Sequence, residues 1–577
     1  MSRATLATLA LLVPLCVIAG ATAAADTGGA AAEQAALPAL RALRGGDAAG
    51  AARELEALTR TAAATASVWR ALGNAYEQLH EHQRAIGAYR HSLSLDPQQP
   101  QVLYALGSAY AGAHQWPQAW DALARAHATG RVDMSQMSVD PNLAGVRTDA
   151  RLAALLPRPQ DFAQPFVETV RIIHEWRGEA AGDQFGWIAR NIGDVDGDGA
   201  NDVVISAPTH GAHAGRVYVY SGRSGTLLWQ ADGRRGDELG TGLEAAGDTN
   251  HDGVPDVIAS GPAGRGVARV YSGRDGRLLR EFHAERADES YGNHACGAGD
   301  VDRDGYADLI VGSPGRDGER RSSGHAYVYS GRTGARLLSL SGERPGDQFG
   351  STVAGYSGGS VQYLVVGAPH AGPAGHGRVY VYRGPSYQLA FTIEADAGGD
   401  ALGLMFVAVP GDLDGDGIAD IYASDWSNVA QGFGSGRIYV YSGRTGELLL
   451  RLSGEHAGDG FGTSSSVAGD IDADGRADLI VGAWQFGGAA VGGGAAYLYS
   501  GRDGRLLARF TDRVAGDTLG FDAVGLGAVT GAEPTLLLSA AWSAVHGHHS
   551  GRVFLIAAAP PASAQAPERA PSRSRRR

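Results

Sequence analysis

Asp412-Leu413-Asp414-Gly415-Asp416-Gly417-Ile418-Ala419-Asp420 sets four carboxylates within nine residues, and Ile421-Tyr422-Ala423 follows at once as strand-like sequence. Acids this close repel one another, so a fold that gathers them needs a compensating positive charge. Gly415 and Gly417 let the backbone curl, because glycine accepts positive φ. A hard divalent cation fits the pattern. Ca²⁺ takes about six to eight oxygen ligands, and carboxylates at positions 1, 3 and 5 of a tight loop supply several.

The loop recurs four more times. The copies are Asp194, Asp196, Asp198, Asp202; Asp248, Asn250, Asp252, Asp256; Asp300, Asp302, Asp304, Asp308; and Asp470, Asp472, Asp474, Asp478. With Asp412, Asp414, Asp416 and Asp420 they form five candidate metal sites. Each offers side-chain oxygens from positions 1, 3, 5 and 9, and the position 7 carbonyl is expected to join them. Asn250 is a neutral oxygen ligand that still suits Ca²⁺. An EF-hand is excluded. It needs a glutamate at position 12, where Ile205, Ala259, Val311, Ala423 and Val481 stand. The competing reading is a bare Asp/Gly turn, which five copies in register disfavour. The five loops hold more aspartates than the whole net charge of −13, so the acidity is local. That balance argues against a general nucleic-acid binder.

Working outward, the loops sit inside seven units. Their starts are Phe185-Gly186, Leu239-Gly240, Tyr291-Gly292, Phe349-Gly350, Leu402-Gly403, Phe461-Gly462 and Leu519-Gly520, spaced 52 to 59 residues apart. The third unit shows the plan. A short strand ends at Gly299, the acidic loop runs over 300–308, and Leu309-Ile310-Val311 is an apolar second strand stopped at Gly312-Ser313-Pro314. Ala326-Tyr327-Val328-Tyr329 alternates as a third strand. Ser330-Gly331-Arg332-Thr333-Gly334 is a turn, and residues 336–340 form a fourth strand. Four strands per unit at this period predict propeller blades, with the most apolar strand near the axis. The fourth and seventh units lack the acids. They carry Tyr356-Ser357-Gly358-Gly359-Ser360 and Gly527-Ala528-Val529-Thr530-Gly531 instead, and neither binds Ca²⁺ this way.

The Phe-Gly start, the acidic loop and the small-small-Pro triplets (Ser206-Ala207-Pro208, Ser260-Gly261-Pro262, Gly312-Ser313-Pro314, Gly367-Ala368-Pro369) resemble the FG-GAP repeat of the integrin α-subunit propeller. The resemblance covers all seven units. It implies a seven-bladed propeller, about five structural Ca²⁺ ions on one face, and a protein or glycan partner on the other. The seventh unit ends at Val553-Phe554-Leu555-Ile556 without a fourth strand, and a spare strand, residues 170–176, precedes the first unit. That strand is expected to complete the seventh blade. On the partner face, tryptophan replaces the triplet proline at Trp426, Trp484 and Trp542. With Phe433 and Phe486 these form a candidate ligand patch. The alternative is packing between blades. His546, His548 and His549 lie nearby without a fixed metal-binding spacing.

Ahead of the array, residues 36–157 are rich in alanine and leucine with a helical period. Trp69, Leu72, Gly73, Tyr76, Ala85 and Tyr89 recur after 34 residues as Leu103, Leu106, Gly107, Tyr110, Ala119 and Leu123. This resembles the tetratricopeptide repeat and implies either a peptide-binding groove or a spacer. Residues 1–25 read as a secretory signal, with Arg3, an apolar core from Leu6 to Ile18 and small residues after it. After cleavage Cys296 is the lone cysteine, which excludes an intramolecular disulfide and leaves metal as the stabiliser of an exported fold. Residues 558–577 read as a disordered basic tail.

The fold class expected is multidomain α plus β: tetratricopeptide-like helices at 36–157, then an all-β seven-bladed propeller at 166–557. The expected function is a secreted or periplasmic, cell-surface-type, non-enzymatic binding or adhesion protein with no stable membrane span. A carbohydrate-active lyase or hydrolase on a propeller scaffold is the alternative.

Overall fold

The computed structural model describes residues 27–61, 64–285, 289–315, 322–356, 361–464, 466–531 and 533–558. The signal-like segment, the basic tail from 559 and residues 357–360 of the fourth unit lie outside the described residues.

Among the described residues, six antiparallel helices come first: Thr27–Arg44, Ala48–Thr59, Ala66–Gln78, His82–Leu95, Pro100–Gly112 and Trp116–Ala128. The repeat residues do the packing that their sizes require. Gly73 faces the Tyr89 ring and Gly107 faces Leu123, so closely that an added Cβ would lie 2.4 Å and 2.7 Å from those side chains. Helix Ala66–Gln78 is capped by Thr65, whose hydroxyl accepts from the Val68 N–H. Short 3-10 turns and the helix Ala150–Leu155 then lead across to the sheets.

Among the described residues, the rest forms seven four-stranded antiparallel sheets. In six of them the strands run in chain order. The first blade is β2 (Ala189–Gly193), β3 (Asp202–Ala207), β4 (Arg216–Tyr220) and β5 (Leu227–Asp232). All seven second strands are buried along their whole length, each around an apolar run of at least three residues. They stand one strand out from the axis. The glycine- and alanine-rich first strands line an axial channel of about 730 Å³.

The seventh blade closes the ring. Its order is β1-β28-β27-β26, where β1 is Ile172–Arg177, β26 Ala523–Gly527, β27 Thr535–Ala540 and β28 Arg552–Ala557. Trp176 stands opposite Val553 and Glu175 opposite Phe554. The outermost strand of the last blade therefore comes from before the first blade, and unrolling the ring must break this pairing.

The residues that begin each unit explain how blades join. Phe349 N–H donates to Ser323 O of the preceding blade at 2.9 Å, and Gly350 N–H donates to Gly367 O of its own blade at 2.9 Å. Leu239/Gly240, Leu402/Gly403, Phe461/Gly462 and Leu519/Gly520 repeat the pattern, and Phe185/Gly186 applies it across the closure, with Phe185 bonded to Ser550 O. The large side chain is buried in every unit. All seven glycines have positive φ, and at Gly350 a Cβ would stand 2.1 Å from His325 O. Only glycine fits there.

Trp176 carries the seam. Its indole N–H donates to Gly225 O at 2.9 Å, and its ring lies in the cluster that joins the first and last blades. Trp176→Ala is expected to lower the unfolding free energy by about 3–5 kcal/mol. Truncation of the exposed Val167 in the same lead-in segment is expected to cost under about 0.5 kcal/mol. Denaturant unfolding followed by tryptophan fluorescence checks both.

Candidate metal loops and the capped aromatic face

The five acidic loops share one geometry, built by their own hydrogen bonds. The position 1 carboxylate accepts from the position 6 glycine N–H at 2.7–3.0 Å in every copy. That glycine has a φ between 82° and 88° throughout. The position 9 aspartate is fully buried. One of its oxygens accepts from the position 2 N–H at 2.7–2.9 Å. The other accepts at 2.9–3.2 Å from the glycine of the turn between third and fourth strands, Gly222, Gly273, Gly331, Gly443 or Gly501. Position 9 thus ties the loop to the outer hairpin of its blade. Burial pushes the Asp308 and Asp420 carboxyls up to about 6 despite these donors.

The remaining oxygens converge. Carboxylates of Asp194, Asp196 and Asp202, of Asp300, Asp302 and Asp304, of Asp412, Asp414 and Asp420, and of Asp470, Asp472 and Asp474 each lie within 4.8 Å of one another. In the second blade Asn250 interrupts the carboxylate set. Two position 3 oxygens, Asn250 Oδ1 and Asp472 Oδ1, are buried with no hydrogen-bond partner. A buried oxygen without a donor is costly, and a hard cation satisfies it. The donor set therefore fits Ca²⁺.

A partner for position 5 went unread in the sequence. The arginine that follows the turn glycine reaches back to it in all five loops: Arg223–Asp198 at 3.3 Å, Arg274–Asp252 at 3.7 Å, Arg332–Asp304 at 3.9 Å, Arg444–Asp416 at 2.7 Å and Arg502–Asp474 at 4.0 Å. The signal was available. Ser-Gly-Arg occurs in the five units that carry the acids, whereas the fourth unit has Arg383-Gly384-Pro385 there. These arginines are exposed, so each pair contributes little by itself.

The opposite ends of the second strands carry the aromatic series, and here the expectation of an open ligand patch is corrected. Trp426, Trp484, Trp542, Phe433 and Phe486 are exposed by 4%, 1%, 2%, 4% and 5%. The three indoles pack edge to face, Trp426–Trp484 at 6.1 Å and Trp484–Trp542 at 4.7 Å, with Phe521 and Trp187 beside them. They plug this end of the ring. Their N–H groups find no protein acceptor.

The helical repeats add a cover that periodicity does not announce. Arg41 Nε and Arg44 Nη1 grip the two oxygens of Asp400 at 2.9 Å and 3.0 Å. The Arg44 guanidinium lies over Phe433 at 4.3 Å and Trp426 at 5.4 Å, a cation–π arrangement. Phe433 itself belongs to the core of the helical repeats. Farther along, Arg131 Nη2 donates to Gly487 O and Val491 N–H donates to Arg131 O, both at 3.3 Å. Phe162 then packs on Val514 and Val545.

Inside the channel, Arg190 pairs with the buried Asp522 and, at 2.5 Å, with Glu244. His294 lies beside them, 7% exposed, with neither ring nitrogen hydrogen-bonded. Burial, then the Arg190 charge, pushes its imidazole down to about 4. Burial pushes the Cys296 thiol up, so it is inert.

Comparison with known proteins agrees with this geometry. The FG-GAP repeat family matches residues 185–220, 292–329 and 461–499, and the tetratricopeptide repeat family matches 66–99. The propeller thus carries FG-GAP repeats, and the helical segment before it a tetratricopeptide repeat. The FG-GAP propeller is similar to integrin alpha-PS5 of Drosophila melanogaster, 33% identical over 26% of this chain and 17% of the relative. Integrin alpha-4 of Xenopus laevis is 33% identical over 37% of this chain and 21% of the relative. The human phosphatidylinositol-glycan-specific phospholipase D is 28% identical over 56% of this chain and 46% of the relative. The chain spans about a fifth of the length of the integrin subunits it matches.

Two outcomes follow from this geometry. The unfolded chain protonates His294 first as pH falls, because the ordinary value of 6.5 lies above the folded one near 4. Stability present above pH 6.5 is therefore lost between about 6.5 and 4, by about 1.4 kcal/mol per pH unit. His294→Gln is expected to flatten that slope by this amount in denaturant titrations at stepped pH. At the domain contact, a double-mutant cycle on Arg44→Ala and Asp400→Ala is expected to give a coupling of about 1–3 kcal/mol. Each single variant should speed proteolytic release of the helical repeats.

Proposed function

We propose that this FG-GAP propeller is an exported, Ca²⁺-stabilised, non-enzymatic binding protein that recognises a protein or glycan. The observation that carries the reading is the register of the acidic loops. The acidic loops share one end of five blades, three carboxylates gather within 4.8 Å in four of them, and Asn250 Oδ1 and Asp472 Oδ1 lack any donor. Asp194, Asp248, Asp300, Asp412 and Asp470, with the residues at positions 3, 5 and 9 of each loop, hold the ions. A bound ion neutralises the carboxylates and clamps the first two strands of its blade. The likeness to integrin α-subunits supports a binding scaffold rather than a catalyst. The signal-like residues 1–25 support export, and no helix among the described residues is long and apolar enough to cross a membrane.

The tryptophan face is closed by its own side chains and by the helical repeats, so the partner is met elsewhere. A cleft of about 150 Å³ opens where the first and third helices meet Phe433 and Ala457. Its floor is Leu37, Leu40, Val68 and Ala71, and its rim holds Glu33 and Arg70. That volume admits one apolar side chain of a peptide. The helical repeats then act as the reader of a protein partner, and the propeller as the rigid body that holds them.

Thermal melts of the full chain test the metal reading. Sites of the extracellular type have dissociation constants of about 0.1–1 mM. Each filled site adds about 1.4–2.7 kcal/mol when Ca²⁺ stands at ten to a hundred times that constant. Excess EDTA is expected to lower the Tm, and Asp412→Asn to lower it in Ca²⁺ but not in EDTA. Identical melts in both conditions overturn the reading. Peptide and glycan arrays probed with the same chain test the ligand class. Turnover of a phosphodiester or glycosidic substrate would instead favour an enzyme, the reading that the phospholipase D relative keeps in view.

A further inference from the structure

The contact between the segment after the sixth helix and the seventh blade contains a set of side chains that neither the repeats nor the acidic loops explain. Asp133 begins the 3-10 turn Met134–Ser138, and its Oδ1 accepts from Ser135 N–H at 2.8 Å. Its Oδ2 faces the blade, 3.8 Å from His548 Nδ1. His549 lies against His548, ring centroids 3.7 Å apart, and also stacks on Trp542 at 5.0 Å and 12°. One oxygen and two imidazole nitrogens of Asp133, His548 and His549 all lie within 4.8 Å of one another.

Several features show that the juxtaposition is held rather than incidental. His549 keeps a left-handed backbone, φ 55°, which costs a non-glycine residue energy. Gly516 makes room for Asp133, since a Cβ there would stand 2.5 Å from the Asp133 Cβ. Ser135 Oγ orients the His548 ring through a 2.9 Å hydrogen bond to Nδ1. The third histidine of the group, His546, is spent elsewhere, its Nδ1 bonded to Gly178 O at 2.8 Å.

We propose that Asp133, His548 and His549 form a transition-metal site that pins the helical repeats to the seventh blade. Two imidazoles and one carboxylate make an N,N,O donor set, which suits Zn²⁺ and its neighbours and not Ca²⁺. Three protein ligands leave a fourth position for water or for a ligand from the partner. Ser135 Oγ holds His548 Nδ1, which leaves Nε2 of that ring to ligate the ion, as in sites where the second ring nitrogen of a ligand is hydrogen-bonded. The ion couples two parts of the chain more than 400 residues apart in sequence. It therefore stabilises the docked arrangement and lowers the freedom of residues 129–165. The site does not depend on the acidic loops.

The test uses the untagged full chain in millimolar Ca²⁺, which keeps hard-ion sites occupied. Co²⁺ added alone is expected to bind once per chain with visible ligand-field absorption, and Zn²⁺ to displace it. Zn²⁺ is expected to protect residues 129–165 from protease. His548→Gln and His549→Asn should each weaken Co²⁺ binding at least about tenfold, the scale of metal-ligand perturbations. Asparagine tolerates the left-handed backbone at 549, so that variant keeps the fold. Asp133→Asn should abolish the Zn²⁺-dependent protection while the Ca²⁺-dependent melt stays unchanged. No ligand-field band in the wild type, or wild-type Co²⁺ affinity in both histidine variants, overturns the site.

Discussion

The structure depends on a two-residue joint used once per blade. A large side chain and a glycine enter each unit, and their consecutive N–H groups point to different sheets. In six units the first bonds to the blade before and the second to the blade it begins; in the third, Gly292 makes the second bond. The large side chain fills the wedge between blades, and the glycine lets two backbones approach within van der Waals contact. Each sheet twists, so the joint must be repeated with the same geometry to bring the seventh blade back to the first. Phe185 does this at the closure, where it bonds to Ser550.

Closing the ring leaves two ends of different character. At one end, the link from first to second strand is acidic in five blades, and backbone N–H groups shape it without any ion. The buried position 9 aspartate belongs as much to the blade as to the loop, because its second oxygen holds the outer turn. At the other end, the links are glycine-rich, and in blades five to seven they fold tryptophan inward. The indoles meet over the axis, where the innermost strands are too small to fill the channel mouth.

That second end is where the helical repeats settle. An apolar plug rimmed by Asp400 suits a helix that carries Arg41 and Arg44, since a guanidinium can pair with a carboxylate and lie flat on aromatic rings at once. The segment that follows runs over blades six and seven and enters the last sheet as β1. The same residues that connect the two parts of the chain therefore complete the propeller, so neither part is a free appendage of the other.

Much of this was legible along the chain. The blade number, the Phe-Gly starts, the acidic loops and the missing fourth strand all recur or fail at a fixed period, and each reports a contact within a blade or with the next one. The helical repeats were legible for the same reason, with glycine and tyrosine at fixed offsets marking where two helices meet. Even the arginines facing position 5 could have been found, because their turn accompanies the acids blade by blade. The fate of Trp426, Trp484 and Trp542 could not. A tryptophan in a surface loop reads alike whether it faces solvent or folds inward, and the choice depended on an axial space that exists only once seven blades close. The meeting of Asp133 with His548 and His549 likewise follows from docking two surfaces by shape and charge, and no period along the chain records that. The sequence by itself thus determined the blades and their loops, because those are local and repeated. Only the tertiary structure decided which face is covered and by what, because that contact joins residues hundreds of positions apart and occurs once.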